Sequence, residues 1–389
     1  MLAVADADSY LKWSASTLDR LPAEWDRRQV LLSSPIAPSP EQSLAATGVP
    51  TTRLSLLGLH RLLRRERPDV VLLACTGPTV ALLAGLPAVR GRDRPVLVTG
   101  LPGISIPASA RAVAHRCGCD LLVVHSRRER LEFARLAATL APGLVVALNG
   151  LPFLTRDPSG RTAAPAGADV VFAAQAKVPP ERRDREAILL ALADVRPAGA
   201  AVVKVRALPG EQQTHREDLP YADLWADLLS TGRVPAGTVR FAAGSMRTAL
   251  AGARSLVTVS STAALEAIDT GVPVVVLDDF GVSEDLINTV FVDSGCLGDL
   301  ADVRAGRAHR PDPAWLADNY FHPAAEDDLE VQVRALVARR DEARLPARRG
   351  PSGSRLGRAA ARLLLPGWVV RPLRTLRRWG NRARRRLSR

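Results

Sequence analysis

Four groups of polar residues follow apolar runs in the second half of this 389-residue chain, at spacings that suit anion chemistry. They are Gln175 and Lys177; Lys204 and Arg206; Gly244 and Ser245; and Ser260, Ser261 and Thr262. The last group lies in SLVTVSSTAALEAIDTGVPVVVL (255–277), which reads as strand, hydroxyl-rich turn, helix, glycine stop and second buried strand. Such a turn leaves the first N–H groups of the helix facing a crevice, where they favour an anion. Two cations at a neighbouring strand end outline a site for a diphosphate. Glu266, one turn into the helix, stands beside it. His215, in the loop GEQQTHRED, is a candidate contact for the rest of such a ligand.

The first half offers different chemistry. Asp6 and Asp8 follow the first apolar run, where a general base for a hydroxyl group belongs. His125, at the end of the run over 120–125, competes for that role. Gly100 and Gly103 bracket a turn that lets backbone approach a ligand closely. Asp6-Ala7-Asp8 is too weak a pattern for a metal site, and no metal is expected.

The elements that must hold these groups are legible as alternation. Short apolar runs over 2–5, 29–33, 69–74, 95–99, 120–125 and 144–148 alternate with helical patterns, the mark of a parallel sheet covered on both faces. The segment between 33 and 56 reads as a Pro/Ser-rich loop. After a Pro/Gly-rich linker the pattern resumes with strands over 169–174, 201–206, 239–242, 256–259 and 274–277, and helices over 313–319 and 327–340 close it. The expected organisation is an α/β chain of two Rossmann-like domains facing each other across a cleft. Residues 1–150 form the first domain, 151–166 the linker, 167–342 the second domain and 343–389 a basic amphipathic tail. In open parallel sheets ligands lie beyond the carboxyl ends of the strands, which is where the groups above fall.

Glu-Ala-x-x-x-Gly-x-Pro-Val (266–274) resembles the C-terminal signature of glycosyltransferases of the GT-B architecture. Most of the chain is similar to an actinobacterial glycosyltransferase group related in pattern to capsule-polysaccharide enzymes, and nucleotide-sugar 2-epimerases carry a close cousin of the motif. The resemblance implies a nucleotide-sugar co-substrate, with its diphosphate at the helix N-terminus and its ribose on Glu266. It implies sugar transfer to a glycan or lipid-linked cell-surface acceptor, with no cofactor. An epimerase or glycerophosphate transferase on the same fold, or an inactive nucleotide-sugar binder, are the alternatives. Retaining members carry an earlier glutamate, yet no acidic residue occupies 256–265, so stereochemistry stays open.

Composition bounds the rest. The net charge of +13 belongs to the tail: 343–389 holds 15 Arg and no acid, which leaves the body at −2 (38 basic against 40 acidic). Nucleic acid is therefore not an expected partner of the body. Trp368 and Trp379 among the tail arginines point to an anionic membrane surface. Four Cys without CxxC spacing predict reduced thiols. The opening LAVADAD predicts no leader, and no apolar run reaches spanning length. The expected location is the cytoplasm, at the inner face of the membrane.

Overall fold

The computed structural model describes residues 1–91, 93–157, 159, 161, 167–197, 200–205, 217–343 and 345. The first sheet holds β1 (Leu2–Ala5), β2 (Arg28–Leu32), β3 (Thr52–Leu54), β4 (Val70–Ala74), β5 (Val96–Gly100), β6 (Leu121–Val124) and β7 (Val145–Leu148). All pairings are parallel, in the order β3-β2-β1-β4-β5-β6-β7. The second holds β8 (Asp169–Ala173), β9 (Ala201–Lys204), β10 (Val239–Ala242), β11 (Ala253–Thr258), β12 (Val274–Leu277) and β13 (Leu297–Gly298). It is parallel too, in the order β10-β9-β8-β11-β12-β13. Both orders start from an inner strand, run to one edge, and then return to build the other side. Each sheet therefore has a switch point, β1/β4 in the first and β8/β11 in the second, where a crevice opens.

Helices α1 (Asp8–Asp19), α2 (Pro40–Thr47), α3 (Leu56–Glu66), α4 (Gly77–Leu83), α5 (Ala110–Arg116) and α6 (Arg127–Leu140) cover the first sheet. Described after it are α7 (Arg182–Ala193), α8 (Tyr221–Ser230), α9 (Met246–Ala251), α10 (Ala263–Asp269), α11 (Leu300–Ala305), α12 (Pro313–Asp318) and α13 (Leu329–Asp341). The local logic shows in α3. Ser55 Oγ accepts from Gly58 N at 3.1 Å, Leu59, Leu62 and Leu63 form a buried stripe at i, i+3, i+4, and Arg64 and Arg65 complement the carboxyl end. Each such leucine removes about 1.5–3 kcal/mol of apolar surface from water. The inner strands are almost wholly buried, as expected of sheets covered on both faces.

The segment read as a Pro/Ser-rich loop contains α2 and edge strand β3. Ser39 and Gln42 form a capping box around Pro40, and Gly48 ends the helix at φ 71°. The last helix packs across the expected boundary between the two halves of the chain. Although α13 lies within 167–342, its Leu329, Val333 and Leu336 pack with Val98, Leu121 and Val123 of the first sheet. Conversely Ile106, Leu151 and Leu154 join the core against β11 and β12. Two crossings therefore tie the sheets together. Among the described residues no helix is long and apolar enough to cross a membrane.

Candidate functional site

The carboxyl ends of β8, β9 and β11 enclose a cavity of about 250 Å³. Ala173, Ala174, Gln175, Lys204, Val205, Met246, Ser260, Ser261 and Thr262 line it. That is less than the roughly 300–1,000 Å³ of a whole small-molecule site.

Gln175 closes the switch point. Its Oε1 accepts from Ser260 N at 2.9 Å and its Nε2 donates to Ser260 Oγ at 2.9 Å. The turn is braced by Thr258 Oγ1, which accepts from Ser261 N at 3.2 Å, and Ser261 Oγ accepts from Ala263 N at 3.2 Å. Lys204, the last residue of β9, is 7% exposed, and its Nζ donates to Val205 O at 2.8 Å. Burial lowers its pKa from 10.5, against the pull of Glu266. Burial raises that of Glu266 from 4.5, opposed by Arg247 and Lys204. The carboxylate thus feels both the ammonium, which lines the cavity, and the guanidinium. Arg247, in α9, was not foreseen, because the sequence around it did not read as a helix. Ser245 is that helix's cap, accepting from Thr248 N at 3.1 Å.

Gly244, Ser245 and Lys177 are exposed and do not line the cavity. Arg206 and His215 lie outside the described residues. From the other sheet, the turn after β5 reaches this site. A methyl group on Gly103 would lie 3.3 Å from Thr262 Cγ2, and Ile104 packs into the core beside β11. Gly100 serves a different end: a Cβ there would come within 2.4 Å of the Trp13 ring, so it makes room for the indole instead of lining the cleft.

Two of the three expected bases are corrected. Asp6 is fully buried and accepts from Thr76 N at 3.0 Å and Thr76 Oγ1 at 2.7 Å. It closes the β1/β4 switch point as Gln175 closes β8/β11, a structural duty that occupies the carboxylate. Burial raises its pKa above 3.8 despite the Thr76 and Thr79 bonds. His125 is also fully buried. Trp13 Nε1 donates to its Nε2 at 2.9 Å, Nε2 also lies 2.9 Å from Leu101 O, and Nδ1 lies 2.6 Å from Asn149 O, so both ring nitrogens are engaged inside the fold. Burial pushes its pKa down to about 4. Asp8 alone presents a carboxylate to solvent, 33% exposed and paired with Lys12 at 2.8 Å.

Sequence reasoning also missed Glu129, fully buried where the two sheets meet. Its oxygens accept from Ser105 N (2.8 Å), His125 N (2.8 Å) and Tyr320 Oη (2.6 Å). It thereby fixes the Gly103 turn and one crossing segment together. Burial pushes its pKa up to about 7.

Glu129 and His125 titrate in opposition. A histidine depressed from 6.5 to about 4 costs the fold about 3 kcal/mol as pH falls through that window. A carboxyl raised from 4.5 to about 7 binds its proton more tightly when folded, and returns a similar amount between pH 7 and 4.5. The two nearly cancel in the native chain. Glu129→Gln is expected to unmask the histidine, giving a stability that falls by about 3 kcal/mol between pH 7 and 4. Urea unfolding across that range reads the slope, and parallel slopes for variant and parent would refute the assignment.

A family model described as "Putative glycosyltransferase (DUF6716)" matches residues 1–336. Among solved structures, the chain is similar to S. aureus MnaA in a co-structure with UDP, at 12% identity and TM-score 0.52, over 90% of this chain and 99% of that one. It is similar to a Listeria monocytogenes protein described as a "putative UDP-N-acetylglucosamine 2-epimerase" at 13% identity and TM-score 0.51, over 87% and 94% of the two chains. These likenesses establish the fold, two facing Rossmann-like sheets of the GT-B kind. No curated protein matches the sequence.

Proposed function

The chain belongs to this glycosyltransferase family, and from that premise we propose that it moves a sugar from a nucleotide-sugar donor to a glycan or lipid-linked acceptor. The donor diphosphate occupies the cavity between Lys204 and the Ser260–Thr262 turn, and Glu266 takes the ribose hydroxyls. The observation that carries the reading is Lys204. A cation held 7% exposed at a strand end, bonded to one carbonyl and lining a cavity, is disfavoured by burial unless an anion joins it.

In the reaction an acceptor hydroxyl oxygen forms a bond to the anomeric carbon while the bond from that carbon to the phosphate oxygen breaks. The acceptor proton passes to a base, for which Asp8 is the exposed carboxylate at the end of β1. The nucleoside diphosphate leaves with the bonding pair. Lys204, Arg247, the Thr262 N–H and the hydroxyl groups of the turn meet the charge that develops there. No metal is required by this scheme. The acceptor lies on the membrane's inner face, to which the arginine-rich tail directs the chain. That tail lies outside the described residues but for Ala343 and Leu345.

The test is turnover of a panel of nucleotide sugars with and without a bacterial membrane extract. The proposal predicts release of nucleoside diphosphate that depends on the extract. Conversion of donor to its 2-epimer without acceptor would replace the reading by an epimerase. Binding with no turnover under any condition would replace it by a nucleotide-sugar binder.

A further inference from the structure

The edge of the first sheet carries a surface that the donor site does not use. Large apolar side chains stand exposed on either side of edge strand β3: Val49 (61%) before it and Leu57 (57%) in the first turn of α3. No such concentration is needed to build the core, because the inner face of α3 is already filled by Leu59, Leu62 and Leu63. Helical spacing from Leu57 runs through Arg61, Arg64 and Arg65 on the outward side, all exposed. The outer face of α3 is therefore an apolar residue followed by three guanidinium groups.

Two of the carboxylates nearby are already neutralised, and Glu41 on α2 is hydrogen-bonded to the Ser39 hydroxyl. Glu66 pairs with Arg28 at 2.7 Å and Arg65 at 3.0 Å, and Asp69 pairs with Arg340 at 2.8 Å. Arg61 and Arg64 have no ion-pair partner among the described residues. The Arg340–Asp69 pair also fixes where the tail departs. Arg340 lies in the last turn of α13, three residues before the 15-arginine segment begins, and Asp69 lies three residues beyond the end of α3. The carboxyl end of α3 and the carboxyl end of α13 are thus neighbours.

We propose that this edge, the Val49 tip with the outer face of α3, is a docking face for an anionic lipid surface. The apolar side chains enter the interface while the arginines meet lipid phosphates. The inference rests on the membrane association proposed above and extends it from the tail to the folded body. One amphipathic element gives reversible attachment, and a second beside it gives stable attachment in a fixed orientation.

The test uses the full chain and sedimentation with phosphatidylcholine vesicles, with or without phosphatidylglycerol. The parent is expected to bind only vesicles containing phosphatidylglycerol. Arg61→Gln/Arg64→Gln/Arg65→Gln and, separately, Val49→Ser/Leu57→Ser are each expected to weaken that binding about tenfold or more. Val331→Ser, at an exposed apolar position of α13 (65%), is expected to change nothing. Every substituted side chain is exposed, so circular dichroism should be identical across the set. Variants that sediment like the parent would overturn the inference and leave the tail as the sole contact. A parent that ignores phosphatidylglycerol, or substitutions that abolish a self-association seen by ultracentrifugation instead, would overturn it too. Binding is read without donor or acceptor. A chain that docks through this face yet transfers no sugar therefore refutes the donor-site reading alone.

Discussion

Lys204→Ala is expected to erase the rise in melting temperature that a nucleotide sugar gives the native chain, and to raise the donor KM about 10- to 100-fold. A charge-assisted hydrogen bond to phosphate contributes roughly 1.5–3 kcal/mol, and each 1.4 kcal/mol is tenfold in affinity. Lys204→Met keeps the buried stem and removes only the charge. Burial already disfavours the ammonium in the unliganded fold, so this variant should unfold no earlier than the parent. Loss of ligand response with undiminished stability would mark the lysine as a binding group. A parallel loss of both would mark it as a packing group. Thermal shift with and without ligand separates these outcomes, because a ligand that binds only the folded state raises its melting temperature.

Asp327→Ala is expected to be the most destabilising change at the crossing between the sheets, by about 3–5 kcal/mol. Asp327 accepts from Arg156 Nη1 and Nη2 at 3.0 and 2.6 Å, from Gly150 N at 3.0 Å, and lies 2.9 Å from His322 Nε2. Arg156 is 9% exposed by side chain, so removal of the carboxylate strands a buried guanidinium. Its neighbour Arg20, which donates to Pro152 O and Leu154 O at 2.6 and 2.7 Å, adds a second unbalanced cation. Burial raises the Asp327 pKa, but the His322 bond and Arg156 outweigh it and hold the pKa at about 2, below its ordinary 3.8. A depressed carboxyl contributes stability above pH 3.8 and loses it as pH falls toward 2, here about 2 kcal/mol. Urea unfolding of parent and Asp327→Asn should therefore converge in that acid window. Equal stabilities at pH 7 would contradict the role. The consequence reaches the donor site, because the same linker is held by Asp269 at the end of α10. Asp269 accepts from Thr155 N at 2.6 Å and Arg156 N at 2.9 Å.

How much of this was readable from residues alone depends on the range of the interaction. The core strands are continuous apolar runs, and their order in the chain gave both parallel sheets and the polar groups at their ends. Lys204, Gln175 and the Ser260–Thr262 turn do converge on one cavity. What composition hides is who else lies at that end of the sheet. Asp6 reads as a base until Thr76, 70 residues later, is found donating to it. His125 reads as a catalyst until Trp13 and Asn149 are found on its two nitrogens. Gly100 reads as a ligand contact until the Trp13 ring occupies its missing side chain. Edge strand β3 is three residues long with a polar exposed face, so it has no alternation to detect. The cap of α2 was written in Ser39-Pro40-Glu41-Gln42, but its apolar face is too weak to announce a helix. The return of α13 to the first sheet is a tertiary choice that helical periodicity alone does not specify.

A crystal structure of the chain grown with a nucleoside diphosphate tests the central claim most directly. The account predicts both phosphates in the cavity at the ends of β8, β9 and β11. Lys204 Nζ should be turned from Val205 O to a phosphate oxygen, and the Thr262 N–H should lie within about 3 Å of another. Nucleotide bound elsewhere, with Lys204 still donating to Val205 O, would contradict it.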